Sequence, residues 1–184
     1  MSQQGCIYFI TFRLADSIPA LRMKAWKAAR DVWLKQNPPP YTPAQDRVLK
    51  SLFSGRIERY LDEGRGECLL ATSAAQAVVA TVLRHEDGTR YMLGDFVVMP
   101  NHVHALVQTE AEIGELSYQW NRVSSHKINN AMGRVGPVWQ QESFDHVVRS
   151  REHLRKCQKY IRDNPARLAL GRYLLGKGKA IWAD

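Results

Sequence analysis

Apolar residues along this chain recur with two different periods, and the changes from one period to the other mark out its elements. Ile7-Tyr8-Phe9-Ile10-Thr11-Phe12 is β-branched and aromatic, which predicts a first strand over residues 6–13. Pro19 then opens a helix. Leu21, Ala25, Ala28, Ala29, Val32 and Trp33 recur in it at helical spacing, Arg22, Lys24, Lys27, Arg30 and Lys35 take the other positions, and Asn37-Pro38-Pro39-Pro40 stops it. Thr42-Pro43-Ala44-Gln45 has the form of a capping box with Pro at the first helical position. The helix it opens buries Val48, Leu49, Leu52, Phe53, Ile57 and Leu61 and ends near Gly64. A short extended piece around 67–70 precedes a third helix, capped by Thr72 or Ser73 and running through Val78, Val79, Val82 and Leu83 to about His85.

Beyond the Asp87-Gly88 turn, strands at 90–99 and 102–109 are joined so tightly at Pro100-Asn101 that they form a hairpin. A helix over 113–132 ends at Gly133, residues 138–148 read as a last strand, and Ser150 caps a final helix that Pro165 terminates. This order predicts an α+β fold: a ferredoxin-like antiparallel sheet with helices packed mainly on one face and an extra helical pair near the N-terminus. It is one domain over 1–167, with the helical insertion at about 19–64. The tail, 168–184, contains three glycines and Trp182, and the sequence assigns it no element.

Composition narrows the function classes. The 184 residues are enough for one self-sufficient core. Apolar runs are strand-sized and no basic patch leads into an apolar signal core, so a cytoplasmic protein without a membrane partner is expected. Cys6, Cys68 and Cys157 are odd in number and far apart, which fits free thiols rather than a disulfide framework. A net charge of +8, with a pI near 9.6, is spread along the chain and favours polyanions, nucleic acid first.

Two short segments carry chemistry. In Asn101-His102-Val103-His104-Ala105-Leu106-Val107 the strand period puts His102 and His104 on one face and Val103, Ala105 and Val107 on the other. In the closing helix Leu154, Cys157 and Ile161 form the docking stripe. Tyr160 and Asn164 stand four apart on another face, with Lys156 one turn before and His153 two turns before. Two imidazoles and an amide oxygen suit Mg²⁺ or Mn²⁺. A tyrosine can attack phosphorus and conserve the bond energy in a phosphotyrosine. Its ordinary pKa of roughly 10 calls for activation by metal, water or a cation such as Lys156. Singly, each part has an ordinary reading: a structural His pair, a half-buried aromatic, an Asn finishing a helix before Pro. Their combination favours chemistry. His126 reads as a surface side chain and Trp139 as core, while Asp145 and His146, on the strand before the tyrosine helix, are placed to orient a ligand.

These residues resemble the single-tyrosine HUH transposases of bacterial insertion sequences, and more closely the REP-associated tyrosine transposases. The resemblance extends over most of the chain: Phe12 to Ser17, Gly64 to Cys68, Asp95 to Val107, Trp139-Gln140 with Phe144-Asp145-His146, and Tyr160 to Pro165. It implies that His102, His104 and Asn164 bind a divalent metal and that Tyr160 is the nucleophile. It also implies cleavage of single-stranded DNA beside small hairpins, leaving a 5′-phosphotyrosine and a free 3′-OH, with a repetitive extragenic palindrome as substrate. Asn at 164 is what the REP-associated branch has, where insertion-sequence relatives often have Gln. Arg13, Arg122 and Lys127 are candidate DNA contacts, Arg122 and Lys127 lying in a polar, basic segment like the family's. Two alternatives stay open: a domesticated hairpin-binding protein that does not cut, and a nickase like replication initiators or relaxases. A hydrolytic nuclease leaves Tyr160 unexplained. Monomer and homodimer are both compatible with the sequence.

Overall fold

The structure, a computed structural model, describes residues 5–182; residues 1–4 and 183–184, at the ends of the expected domain and tail, lie outside the described residues. The chain divides into two compact units, 16–67 and the remainder.

The larger unit is built on a five-stranded antiparallel sheet. Its strands are β1 (Cys6–Arg13), β2 (Tyr91–Val98), β3 (His102–Thr109), β4 (Phe144–Val147) and β5 (Leu174–Lys177), in the order β4-β1-β3-β2-β5. The first four have the ferredoxin-like order expected, and the tail adds the fifth strand at one edge. Alternation along β1 and β3 sends Tyr8, Ile10, Phe12, Val103, Ala105 and Val107 to one face. There they meet α4 (Ser73–Arg84) through Val79 and Leu83, and α5 (Ile113–Met132) through Leu116, Trp120 and Ile128. The opposite face receives Phe9, Val97 and Leu106, and α6 (Arg151–Asp163) docks on it through Leu154, Cys157 and Ile161. Two helices therefore lie on one face and the tyrosine helix on the other. Full burial of Ile161 alone contributes about 2 kcal/mol to that docking.

Local chemistry explains the ends of these elements. Gly133 stops α5 in the left-handed conformation that glycine adopts without cost, φ 62°. The Ser150 hydroxyl caps α6 by accepting from the His153 N–H. Thr72 caps α4, accepting from the Ala75 N–H.

In this unit three elements differ from expectation. Residues 67–70 are not extended: Cys68 sits at φ 54° and Leu69–Ala71 form a 3₁₀ turn. The last strand is shorter than 138–148, because Trp139 makes only an isolated bridge to Leu14, and its indole N–H donates to the buried Ser124 hydroxyl. Pro165 ends the α-helix, yet the chain continues through a 3₁₀ turn, Asn164–Arg167.

In the smaller unit α1 is Ala20–Gln36, and the single helix expected after Thr42 is two, α2 (Pro43–Leu52) and α3 (Ser54–Asp62). They are broken at Phe53, whose φ of −124° and ψ of −75° leave the helical region. The capping box at Thr42 and Gln45 forms as its sequence indicates. The apolar stripe expected on α1 is not its packed face, since Leu21 is 84% and Val32 55% exposed. Alanines supply little apolar area, and the packing runs instead through Met23 and through Trp26, edge-on to Tyr60. The Arg22 guanidinium lies over the Tyr60 ring and that of Arg30 over Phe53.

Candidate active site

His102 and His104 project from the central strand β3 to the α6 side of the sheet and are fully buried. Their rings meet edge to face, with centroids 4.6 Å apart. Each has one nitrogen held. Nδ1 of His102 lies 2.7 Å from Asn101 Oδ1, and Nδ1 of His104 lies 2.7 Å from Thr11 Oγ1 on the neighbouring strand. With Nδ1–H donating in each pair, the Nε2 lone pair is left as the outward acceptor. Both Nε2 atoms are buried with no hydrogen-bond partner, and the same is true of Asn164 Oδ1 at the end of α6. Unpaired buried acceptors cost free energy, and here three of them belong to the set expected to hold a cation.

Burial also fixes protonation. His102 is pushed down to about 3 by desolvation. His104 is held well below its ordinary value by desolvation first, then by the charges His102 and His146 would carry. Both imidazoles are neutral at neutral pH, the state in which they ligate metals.

Tyr160 is brought to this pair. Its ring stands edge-on to His104 at 5.2 Å and to Phe9 at 5.9 Å. The position follows from the docking stripe of α6, which leaves Tyr160 and Asn164 on adjacent turns facing the sheet.

The other expected residues separate into groups. Arg13, opposite His102 in the β1–β3 register, is only 1% exposed. Its guanidinium lies over the Phe144 ring, and Nη1 donates to the Glu142 carbonyl at 3.4 Å. Burial pushes it down to about 10, partly offset by Glu142, so it remains cationic. His146 shares the α6 face, its ring 5.2 Å from Phe9. Asp145 alternates to the opposite face, opposite Ile10, and does not join the histidines. Lys156 is 72% exposed and pairs with Glu152 in solvent rather than turning inward. Arg122 and Lys127 are exposed on α5, across the sheet from His102 and His104.

Sequence reasoning missed Thr11, Asn101 and Asp95. The side-chain oxygens of Thr11 and Asn101 orient the two imidazoles. A register shift in β2 between Leu93 and Phe96 turns the buried Asp95 toward α6, 3.6 Å from Arg162, and Lys177 of β5 lies at 3.8 Å. Only Asn101, adjacent to His102, had a signal readable in the sequence.

Among solved structures, the chain is similar to that of a REP-associated tyrosine transposase bound to a REP hairpin, with 18% sequence identity, 91% of this chain and 74% of that chain covered, and a TM-score of 0.45. No family model matches the sequence, and no curated protein matches it. Among the described residues no helix is long and apolar enough to cross a membrane.

Proposed function

We propose that this chain is a divalent-metal-dependent enzyme that cuts and rejoins single-stranded DNA at the hairpins of repetitive extragenic palindromes, with Tyr160 as nucleophile. The observation that carries the reading is the set of buried acceptors without partners, His102 Nε2, His104 Nε2 and Asn164 Oδ1, on the face where Tyr160 packs against His104. Two neutral imidazoles and an amide oxygen fit a six-coordinate Mg²⁺ or Mn²⁺, with its remaining positions left to water and phosphate. A bound cation would polarise the scissile phosphate and offset its charge.

The chain's own groups do the rest. Thr11 and Asn101 hold the imidazole rings so that Nε2 faces outward. Tyr160 Oη forms the bond to phosphorus as the bond from phosphorus to the 3′-oxygen breaks, and the phenolic proton ends on that oxygen. The products are a 5′-phosphotyrosine and a 3′-OH, and attack by a 3′-OH on the phosphotyrosine reverses the reaction and joins strands. Arg13 is the buried cation nearest in register and contributes positive charge for the DNA backbone.

The test is a denaturing gel of the protein with labelled single-stranded hairpin DNA and Mg²⁺ or Mn²⁺, comparing wild type with Tyr160→Phe. A protein-linked label that chelator and the substitution both abolish is expected. Hairpin binding without an adduct, in either metal, would favour the non-cutting binder.

A further inference from the structure

We propose that His146, His153 and Cys157 form a second metal site, selective for a borderline cation, Zn²⁺ first, that fastens α6 to β4. One ligand atom from each of the three lies within 4.8 Å of the others. The topology produces this grouping. His153 and Cys157 stand four apart on α6 and share a face, while His146 reaches them from β4. The His146 and His153 rings stack with centroids 5.2 Å apart and an interplanar angle of 8°. Cys157 is buried beneath them and His146 is exposed.

The donor set decides the cation. Two imidazoles and a thiolate are poor ligands for Mg²⁺ and good ones for Zn²⁺. Tetrahedral Zn²⁺, with bonds of about 2.0 Å to nitrogen and 2.3 Å to sulfur, requires the three atoms to close by roughly 1 Å. The exposed His146 side chain can make that movement, and the open side leaves a fourth position for water. Loading releases the thiol proton to solvent.

This group is separate from the His102 and His104 pair. In the sheet β1 runs between β3 and β4, and its Phe9 ring lies 5.3 Å from that of His104 and 5.2 Å from that of His146. An apolar ring thus stands between a nitrogen–oxygen donor set and a nitrogen–sulfur one. Tyr160 follows Cys157 by one turn, so occupancy at the second group holds the tyrosine helix against the sheet edge.

Co²⁺ as a probe distinguishes the two groups, because only a thiolate ligand gives the near-ultraviolet sulfur-to-cobalt charge-transfer band. The expected result is a saturable band, bleached by one equivalent of Zn²⁺ and absent in Cys157→Ser. In His146→Ala and His153→Ala, Co²⁺ affinity falls tenfold or more. The band survives in the His102→Ala, His104→Ala double variant. His146 is exposed, so His146→Ala should keep its fold, which circular dichroism checks. No band in wild type, a band persisting in Cys157→Ser, or unchanged affinity in folded His146→Ala would each overturn the proposal. Failure of the phosphotyrosine assay leaves these readouts untouched, so the two readings fail independently.

Discussion

Thr11 on β1 and His104 on β3 are direct cross-strand partners, and the Thr11 hydroxyl meets His104 Nδ1 at 2.7 Å inside a fully buried face. With Nδ1–H donating to that hydroxyl oxygen, Nε2 is the nitrogen left with a lone pair for a ligand. A side chain 93 positions away thus orients the His104 ring.

Thr11→Val keeps the volume and removes the hydroxyl, so Nδ1 loses its partner and the ring its orientation. Mn²⁺ affinity should fall about 10- to 100-fold, as it does when outer partners of metal-binding histidines are removed. Calorimetric titration with Mn²⁺ reads this directly. Equal affinity in wild type and variant would mean that Thr11 does not set the ligand.

The two buried imidazoles also make stability depend on pH. His102 titrates near 3 when folded and near 6.5 when unfolded, so between those values the unfolded state binds the extra proton. Stability is full above about 6.5 and is lost as pH falls toward 3, at about 1.4 kcal/mol per pH unit for this group. His104 acts in the same direction. Urea unfolding in chelator from pH 7 to 4 should show this slope, and His102→Asn should flatten it by about one proton.

Arg13 is a buried cation on the histidine face, whereas Arg122 and Lys127 lie on α5 across the sheet. If the DNA runs over the histidine face, Arg13→Met should weaken hairpin binding with the salt slope little changed, because a guanidinium only 1% exposed adds buried charge rather than a counterion-releasing phosphate contact. Arg122→Ala and Lys127→Ala should leave cleavage rates unchanged. Fluorescence anisotropy across a salt series gives the slopes. A loss confined to the α5 variants would place the DNA on the other face.

How much of this was legible in the sequence depended on whether the signal was local. Strand β1 and helix α5 were readable because the signal lies in one window: β-branched and aromatic residues over Cys6–Arg13, and Gly133 as the terminator that closes α5. His102 and His104 share a face because alternation alone requires it. The Thr11 contact was not readable, since register is set by tertiary pairing. Nor was the approach of His146 to His153 and Cys157, which joins a strand to a helix. On α1 the periodic stripe misled because alanine periodicity carries little burial, and two arginines cover the aromatic residues instead. The tail lacked any period, yet it forms β5 and seats Trp182 against Gly94, with the indole N–H donating to Gln108.

The docking of that tail rests on close backbone approach. A Cβ built on Gly178 would clash with the Leu93 carbonyl oxygen and lie 2.7 Å from Asp87 Oδ2. The neighbouring chain is pinned there: the Gly178 N–H donates to the Gly94 carbonyl, the Ala180 N–H to that of Leu93, and the Lys179 N–H to the Asp87 carboxylate. Backbone cannot step aside as a side-chain end would, so Gly178→Ala must shift β5 away from β2 and should destabilise by about 1–3 kcal/mol. Hydrogen exchange should show faster exchange across 174–182 than in wild type, with β1 and β3 still protected. Unchanged exchange in that segment would show that the tail tolerates the methyl group and is not held by this contact.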